Sequence, residues 1–225
     1  MNPVLPDEQL ALRDTLPRKP APVTLEGKLV RLVPLDLERD TLPLYEVMNG
    51  SAITLGARHI DAYDPDELIW RYMFGGPFAS AEEFRAYLRA ISDPPDALAM
   101  TVFDQATGRQ VGVATFMSNV PAHLKIELGS ISYSPIAQRT GANTEATYLM
   151  AKNCFELGYR RLEWKCNALN QRSRAAALRM RFQFEGIQEA HMVVKGRNRD
   201  TAWFRILDHE WEGVKRHLEK LLDRP

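Results

Sequence analysis

The sequence predicts a mixed α/β or α+β domain with a partly antiparallel sheet, and three observations support this prediction. Helical patterns dominate the first part of the chain. Three consecutive strand patterns follow at residues 97–103, 110–117 and 125–133, with a turn-forming segment at 104–108. The remainder alternates strand and helix before two final strands. An order of this kind is typical of a domain in which helices pack against a sheet.

The remaining elements follow from caps and hydrophobic periodicity. Asp36 is a suitable N-cap for a helix that runs toward Met48, and Ser80 with Glu83 forms a capping-box pattern. Gly158 fits a left-handed helix end. The predicted segments are a strand at 29–33, a short helix from Pro65 through Trp70 and Tyr72, a helix at 144–157, a strand at 161–166, a helix at 173–181, paired strands at 185–194 and 200–207, and a last helix capped by Asp208.

Composition narrows the class of protein. The 225 residues are 45% hydrophobic and 26% charged, which is usual for a globular protein. Lys plus Arg and Asp plus Glu both number 29, so no overall charge favours nucleic acid or a membrane surface. Neither a signal-peptide pattern nor an apolar run of transmembrane length occurs, so we expect a cytoplasmic protein.

The two cysteines, Cys154 and Cys166, lie in apolar-periodic segments and are expected to be buried free thiols. No C-x-x-C or H-x-x-x-H spacing occurs, so we expect no metal site. Residues 1–22 contain five prolines, which indicates an N-terminal extension without regular structure, although a short amphipathic piece at 8–12 is an alternative. Residues 23–225 are expected to form a single domain.

The loop at residues 134–143 is the segment most suggestive of chemistry. It joins a predicted strand to the start of a helix, where free backbone N–H groups can surround an anion. Gly141 permits close backbone approach, and Arg139 adds positive charge. Physical reasoning alone leaves two alternatives open, a phosphate-binding loop or an ordinary strand–helix connection. The P-loop and dinucleotide-binding patterns are both absent.

This loop resembles the acetyl-CoA-binding motif of the GNAT superfamily, Q/R-x-x-G-x-G/A. Gln138 and Gly141 match the motif, whereas Asn143 stands where the family usually has Gly or Ala. Downstream, Asn170 and Ser173 resemble the family's Asn-x-x-Ser element, and Arg181 replaces a usual Gly. The following Thr-Glu-Ala run at 144–146 is similar to the RimJ/RimL-like ribosomal-protein branch, as are the segments at 25–32, 163–173 and 196–203. The resemblance spans residues 23–212.

The resemblance implies a GNAT fold: a central mixed, mainly antiparallel, twisted sheet flanked by helices and splayed around an acyl-CoA site. It also implies an N-acetyltransferase that moves an acetyl group from acetyl-CoA to a primary amine by direct attack in a ternary complex. The amine would belong to a protein N-terminus, a small molecule or an aminoacyl compound. The alternative is a catalytically weak acyl-CoA-binding or regulatory module. Acetyl-CoA is the implied cosubstrate, without a metal.

The resemblance also implies roles for individual residues. Glu127 is the candidate general base, with an exposed carboxylate or a salt bridge as the alternative. Ser173 would donate a hydrogen bond to the CoA sulfur, or else cap the following helix. Asn170 would bond the pantetheine arm, or else form a turn. A backbone amide at 129–133 would stabilise the oxyanion, and a β-bulge could re-aim this strand. The expected cofactor-binding residues are Ile131, Ser132, Tyr133, Gln138, Arg139, Thr140, Gly141, Ala142, Asn143, Thr144, Asn170 and Ser173.

The acceptor side is expected in the segment 70–78 and near two strand tryptophans. The candidate substrate-binding residues are Trp70, Tyr72, Phe78, Trp164 and Trp203. Core packing is the alternative for Trp164 and Trp203. Arg199 and Asp200 would bind substrate or form a salt bridge within the hairpin. The implied partner is an amine-bearing small molecule or protein N-terminus, with no nucleic acid and no membrane, and a homodimer and a monomer both remain open.

Overall fold

The computed structural model describes residues 4–223 and confirms a mixed α/β fold with a mainly antiparallel sheet. Eight strands pair in the order β1-β2-β5-β6-β7-β8-β10-β9, and only β7 and β8 run parallel. A separate hairpin consists of β3 and β4. The strands are β1 Leu25–Glu26, β2 Val30–Pro34, β3 Ile53–Leu55, β4 Arg58–Ile60, β5 Leu98–Asp104, β6 Gln110–Val120, β7 Lys125–Tyr133, β8 Arg161–Asn167, β9 Gln183–Val194 and β10 Arg197–Leu207.

The helices begin largely where the capping residues predict. Asp36 accepts hydrogen bonds from the N–H groups of Glu38 and Arg39, and Ser80 accepts one from Glu83. Gly158 has φ +88° and closes the fourth helix as expected. The helices are α1 Asp7–Thr15, α2 Leu37–Glu46, α3 Ala81–Ser92, α4 Ala142–Glu156, α5 Gln171–Arg179 and α6 Trp211–Leu222, and a single helical turn spans Asp66–Trp70.

The N-terminal segment differs from the prediction. Residues 7–15 form helix α1, so the expectation of no regular structure is wrong there, and the alternative of a short structured piece at 8–12 agrees with the helix. Pro6 precedes the helix and leaves its hydrogen-bond ladder intact, because a proline at a helix start removes no required donor. The segment lies across the body: the Asn119 side-chain amide donates to the carbonyl groups of Pro17 and Arg18, both at 2.9 Å.

Three further expectations need correction. The short strands β1, β3 and β4 were not predicted, because two or three residues are too few to show a period. Helix α5 begins at Gln171 and is capped by Asn170, not by Ser173. Helix α6 begins at Trp211, and Asp208 instead opens a 3-10 turn in which the Glu210 carboxylate accepts the N–H of Leu207 at 2.9 Å.

The core fills both sides of the sheet. Apolar side chains of the central strands, such as Phe116, Ile126 and Phe204, are almost fully buried. Cys154 and Cys166 are buried free thiols, as predicted. Burial raises the pKa of Cys154 far above its ordinary value. None of the helices described is long and apolar enough to cross a membrane.

A buried carboxylate joins helix α4 to the N-terminal edge of the sheet. Glu145 is 4% exposed and accepts three backbone hydrogen bonds, from the N–H groups of Lys28 at 2.8 Å, Leu29 at 2.6 Å and Val30 at 2.7 Å. A side chain at Gly27 would collide with this carboxylate. The Thr-Glu-Ala run therefore has a structural role, because its glutamate fixes the first turn of α4 against strand β2.

Candidate active site

Strands β7 and β8 separate part-way along their length. Their parallel pairing extends from Lys125 opposite Arg161 to Leu128 opposite Trp164 and then ends. Both strands continue beyond this point without pairing to each other. A cavity of about 300 Å³ lies in the resulting gap. Backbone groups that lose ladder partners in this way are available to a ligand that enters between the strands.

A β-bulge in β7 lies on the wall of this cavity. Gly129 pairs with Thr115 and Ser132 with Val113, so Ser130 and Ile131 together oppose one residue of β6. Ser130 has φ +47°, and both bulge residues line the cavity. The bulge that we considered for this strand is therefore present. Bulges leave a residue outside the ladder and re-aim its backbone groups, here next to the gap.

The loop at residues 138–141 and the start of α4 contribute to the wall of the cavity. The Gln138 side-chain amide donates to the carbonyl groups of Leu68 at 3.2 Å and Tyr133 at 3.1 Å, which fixes the loop to its surroundings. Gly141 has φ +89° and precedes the first residue of α4, where no side chain caps the helix. The N–H of Ala142 donates to the Thr140 hydroxyl at 3.4 Å, and the N–H groups that follow it at the start of α4 are left for an anion, which the helix dipole also attracts.

The charge around the cavity suits a polyanion. Its described lining contains six cationic side chains and one carboxylate, Glu67. Asn143 adds a side-chain oxygen that is buried and has no hydrogen-bond partner. A diphosphate with a long polar arm fits this lining better than an uncharged ligand does. The cations are Arg71, Arg139, Lys165, Arg172, Arg179 and Arg199.

Glu127 is 4% exposed and lies beside the cavity, not on its lining. Its carboxylate is 2.6 Å from Lys165 Nζ, and it accepts a hydrogen bond from the Ser118 hydroxyl at 3.0 Å. Burial raises the pKa of Glu127 above its ordinary value, although Lys165 and Ser118 oppose the shift. The salt bridge that we considered is present, and the same contact places Glu127 one side chain from the cavity, because Lys165 lines it.

Ser173 and Asn170 both line the cavity and are linked to each other. Asn170 Oδ1 accepts the backbone N–H of Ser173 at 3.1 Å, so Asn170 performs the capping that we considered for Ser173. The hydroxyl oxygen of Ser173 accepts the indole N–H of Trp164 at 3.0 Å. Since that oxygen is held as an acceptor, its own proton is available to a nearby sulfur or oxygen atom.

The structure separates the five candidate acceptor residues. Tyr72 and Trp164 line the cavity, whereas Trp70, Phe78 and Trp203 do not. Trp70 is 1% exposed, donates its indole N–H to Met48 O at 3.2 Å, and contacts Phe78 edge-on in an aromatic cluster. These two residues belong to the core between α2 and α3. Trp203 instead lies under Lys165, with Nζ 4.3 Å from its ring centroid.

Among the predicted cofactor residues, two do not line the cavity. Thr140 donates its hydroxyl to the carbonyl of Ala137 at 2.7 Å and so stabilises the loop, and Ala142 is buried in the core. Tyr133 lines the cavity but its ring is mostly buried, and burial strongly raises the pKa of its phenol. The other expected residues lie on the cavity wall: Ile131, Ser132, Gln138, Arg139, Gly141, Asn143, Thr144, Asn170 and Ser173.

Sequence reasoning missed Lys165, Arg172 and Arg179 on this wall. Arg172 donates to the carbonyl groups of Glu67 and Leu68, which ties α5 to the helical turn across the cavity. The clustered arginines of α5 directly after Asn170 were an available indication. No group of three or more potential metal ligands occurs among residues 4–223.

Comparison with known proteins identifies the family. Residues 55–183 match the model of the acetyltransferase (GNAT) domain. The chain belongs to the GNAT acetyltransferase family. The fold also matches a GCN5-related N-acetyltransferase from Brucella melitensis, with 39% identity, coverage of 91% of this chain and 87% of that one, and a TM-score of 0.80.

Two other solved structures extend the comparison. A GNAT-family protein from Chromobacterium violaceum is 36% identical over 86% of this chain and 90% of that one, with a TM-score of 0.76. RimL, a ribosomal L7/L12 α-N-protein acetyltransferase in complex with coenzyme A, shares the fold at 17% identity and a TM-score of 0.61, with 82% of this chain and 98% of that one covered. The comparison with curated proteins finds no match.

Proposed function

We propose that this protein transfers an acetyl group from acetyl-CoA to a primary amine. The separation of β7 and β8 beside an uncapped helix N-terminus carries the proposal. It provides a cleft with free backbone groups at its centre and positive charge around it. Family membership makes acetyl transfer the expected chemistry, and the residues of this chain supply the details of binding and proton transfer.

In this proposal the loop at residues 138–141, which includes Arg139, and the start of α4 bind the diphosphate of acetyl-CoA. Gly141 brings the backbone close to the phosphates, and the first N–H groups of α4 point toward them. Asn170 also lies on the cavity wall and would bond an amide of the pantetheine arm. Acetyl-CoA supplies the thioester, whose acetyl group is already activated for attack by an amine.

The amine must lose a proton before or during attack, because an α-amino group titrates near ~8 and a lysine near ~10.4. We assign the acceptance of this proton to Glu127, directly or through water. Burial raises its pKa toward the range in which a carboxylate works well as a base near neutral pH. Lys165 and Ser118 hold the carboxylate in place from two sides.

Two further groups are assigned to the thioester. The N–H groups at the Ser130–Ile131 bulge are the candidate donors to its carbonyl oxygen, since they line the cavity outside the regular ladder. The Ser173 hydroxyl is the candidate donor to the departing sulfur, since its oxygen already accepts from Trp164. All of these donors are positioned by strand or helix backbone, so little reorganisation would be needed.

The acceptor is proposed to be a protein N-terminal amine, a small amine or an aminoacyl compound. Membership of the RimJ/RimL-like branch is part of this proposal and rests on the Thr-Glu-Ala run and on the motifs around Asn170 and the last hairpin. The fold shared with RimL is compatible with it. A peptide panel with different N-terminal residues would test the branch, because acetylation of free peptide N-termini is the activity it requires.

The experiment that tests the function measures release of free coenzyme A when amines and peptides are offered with acetyl-CoA. Turnover that depends on the amine would support the proposal. The alternative is a catalytically weak acyl-CoA-binding module, and the polar Asn143 at the helix start, in place of Gly or Ala, favours that candidate. Tight acetyl-CoA binding in calorimetry without turnover across the panel would support the module and overturn the proposed transferase.

A further inference from the structure

Arg199 is a buried arginine on the wall of the active-site cavity. It is 6% exposed and belongs to strand β10. Its Nε atom is buried and has no hydrogen-bond partner. None of the ion pairs found within residues 4–223 includes this side chain. The adjacent carboxylate, Asp200, accepts the N–H of Ala190 at 2.8 Å and is not paired with Arg199. A buried guanidinium without a counter-ion is costly unless a ligand provides one.

The surroundings of Arg199 place it on the acceptor side. Side chains alternate along a strand, so Arg199 shares a sheet face with Thr201 and Trp203. Trp203 contacts Lys165, which is paired with Glu127, so the same face carries the proposed base. Trp164, which contacts Ser173, alternates with Lys165 on β8 and faces the other side. The proposed base and the proposed sulfur donor therefore approach the gap from opposite faces, and Arg199 lies with the base.

The charges next to the cavity on this face do not cancel. Lys165 and Arg199, which line the cavity, bring two positive charges, whereas Glu127 beside it brings one negative charge that also acts on Arg199. Glu163, farther along β8, is paired with Lys125 and Arg161 outside the cavity. Burial lowers the pKa of Arg199, which is the effect of a cation held away from water. The ring of Phe74 covers one face of the guanidinium, with Arg199 Cζ 4.6 Å from the ring centroid. The N–H groups at the edge of the guanidinium remain able to donate hydrogen bonds.

We propose that Arg199 binds a carboxylate of the acceptor, so that the preferred substrate is an amine that also carries a carboxylate, as an amino acid does. The inference rests on the proposed acetyl transfer and narrows the acceptors of that same site to amines with a nearby carboxylate, because the first residue of a protein N-terminus carries an amide at that position. A guanidinium binds a carboxylate through paired N–H donors, which fixes the orientation of the molecule as well as its charge. The bound carboxylate would hold the amine on the side of the sheet where Glu127 accepts its proton.

Matched acceptor pairs test the proposal. Each pair consists of an amino acid and its carboxamide, for example leucine with leucinamide and phenylalanine with phenylalaninamide. The two members have the same side chain and nearly the same size, but the carboxamide has no negative charge and its amine has a lower pKa. For the unmodified protein we expect kcat/KM to be about tenfold or more higher for the amino acid, after correction for the fraction of neutral amine. Equal or higher kcat/KM for the carboxamides would overturn the proposal.

Two substitutions show whether Arg199 is responsible. Arg199→Met keeps most of the side-chain volume and is expected to lower kcat/KM for the amino acid at least about tenfold while changing that for the carboxamide less than about threefold. Arg197→Met makes the same change two residues away on β10, at an exposed position outside the cavity, and is expected to change neither. If Arg199→Met lowered kcat/KM equally for the amino acid and for its carboxamide, Arg199 would only pack against Phe74, and the proposal would be overturned.

Calorimetry with acetyl-CoA separates the remaining explanations. Unchanged acetyl-CoA affinity in Arg199→Met supports an acceptor role, whereas weaker affinity would show that Arg199 binds a phosphate of the cosubstrate and would overturn the proposal. Absence of turnover with every amine would refute the proposed transferase. Turnover of the carboxamides without a preference for the amino acids would refute only the carboxylate site.

Discussion

The carboxylate of Glu127 lies 2.6 Å from the ammonium group of Lys165, across the point where β7 and β8 stop pairing. Glu127 precedes the last paired residue of β7, and Lys165 follows the last paired residue of β8. The contact therefore spans the base of the cleft. A cation in this position keeps the buried carboxylate ionised more often than burial alone would allow, and the carboxylate holds Lys165 toward the cavity.

The first prediction concerns Glu127→Gln. We expect kcat to fall by about a hundredfold or more, with acetyl-CoA affinity nearly unchanged, because the variant lacks the proton acceptor but keeps the side-chain shape. The ionised carboxylate is the active form, so the rate for the unmodified protein should rise as the pH rises through the elevated pKa of Glu127. This acidic limb of the pH–rate profile should be absent from the variant.

Glu163→Gln is the matched control for that experiment. Glu163 is a buried carboxylate on β8 that pairs with Arg161 at 2.8 Å and lies outside the cavity. The Glu163→Gln variant should be less stable and should keep the acidic limb of the profile, displaced to lower pH, because the charge of Glu163 helps to raise the pKa of Glu127. A Glu127→Gln variant with a profile of unchanged shape would remove Glu127 as the base.

The second prediction concerns Gly141→Val. Gly141 has φ +89°, and an added Cβ would lie 2.9 Å from Leu29 Cδ1. The substitution should therefore displace the loop and weaken acetyl-CoA binding by at least about tenfold in calorimetry. Gly108→Val is the control, since it imposes a similar strain at φ +68° in a turn with no atom near the added Cβ. Equal acetyl-CoA affinity in the two variants would contradict a binding role for Gly141.

The third prediction concerns Ser173→Ala, which removes the hydroxyl of a residue on the cavity wall and keeps the cap from Asn170. We expect kcat to fall about tenfold or more, with a smaller change in acetyl-CoA affinity, because the donor would act on the sulfur only as it departs. Ser173→Thr retains a hydroxyl and should recover most of the rate. Wild-type kcat in the alanine variant would exclude the assigned role.

The fourth prediction concerns stability. Glu145→Gln replaces a buried carboxylate that accepts three backbone N–H groups, so an amide group would face donors instead. We expect the free energy of unfolding to fall by about 3 kcal/mol in urea denaturation. Glu156→Gln on the same helix changes an exposed carboxylate 3.7 Å from Lys152 and should change stability by less than about 0.5 kcal/mol. Similar losses in both variants would refute the anchoring role of Glu145.

Local sequence patterns were sufficient to predict most of the elements around the cleft. The bounds of β7 match the prediction, because strand alternation acts over a few residues. A loop and a helix follow it as expected, although the loop ends at Gly141 and the helix begins at Ala142, two residues before the predicted start. Local patterns do not predict which strand pairs with β7. Pairing of β7 with β8, and its end at Leu128, depends on tertiary packing that no local pattern encodes.

The same limit explains the errors in the acceptor region. Trp70 and Phe78 lie in a segment without a regular hydrophobic period, so the sequence was compatible with either a binding surface or the core. In the structure Trp70 packs against Phe84 and Phe78 packs against Tyr87, which places both residues in the core. The position of Lys165 beside Glu127 also requires the strand register. Arg199 was considered for substrate binding, but only the fold shows that it lacks a partner carboxylate among the described residues.

The hydrogen bonds of Glu145 join two parts of the chain that are 115 to 117 residues apart in sequence. During synthesis the amides of residues 28–30 emerge long before the helix that contains their acceptor, and they must stay hydrated until it is made. Closing so long a loop is slow compared with forming a local helix turn. The start of α4, and with it the proposed phosphate site, is therefore expected to become rigid only late in folding, when the first strand of the body docks.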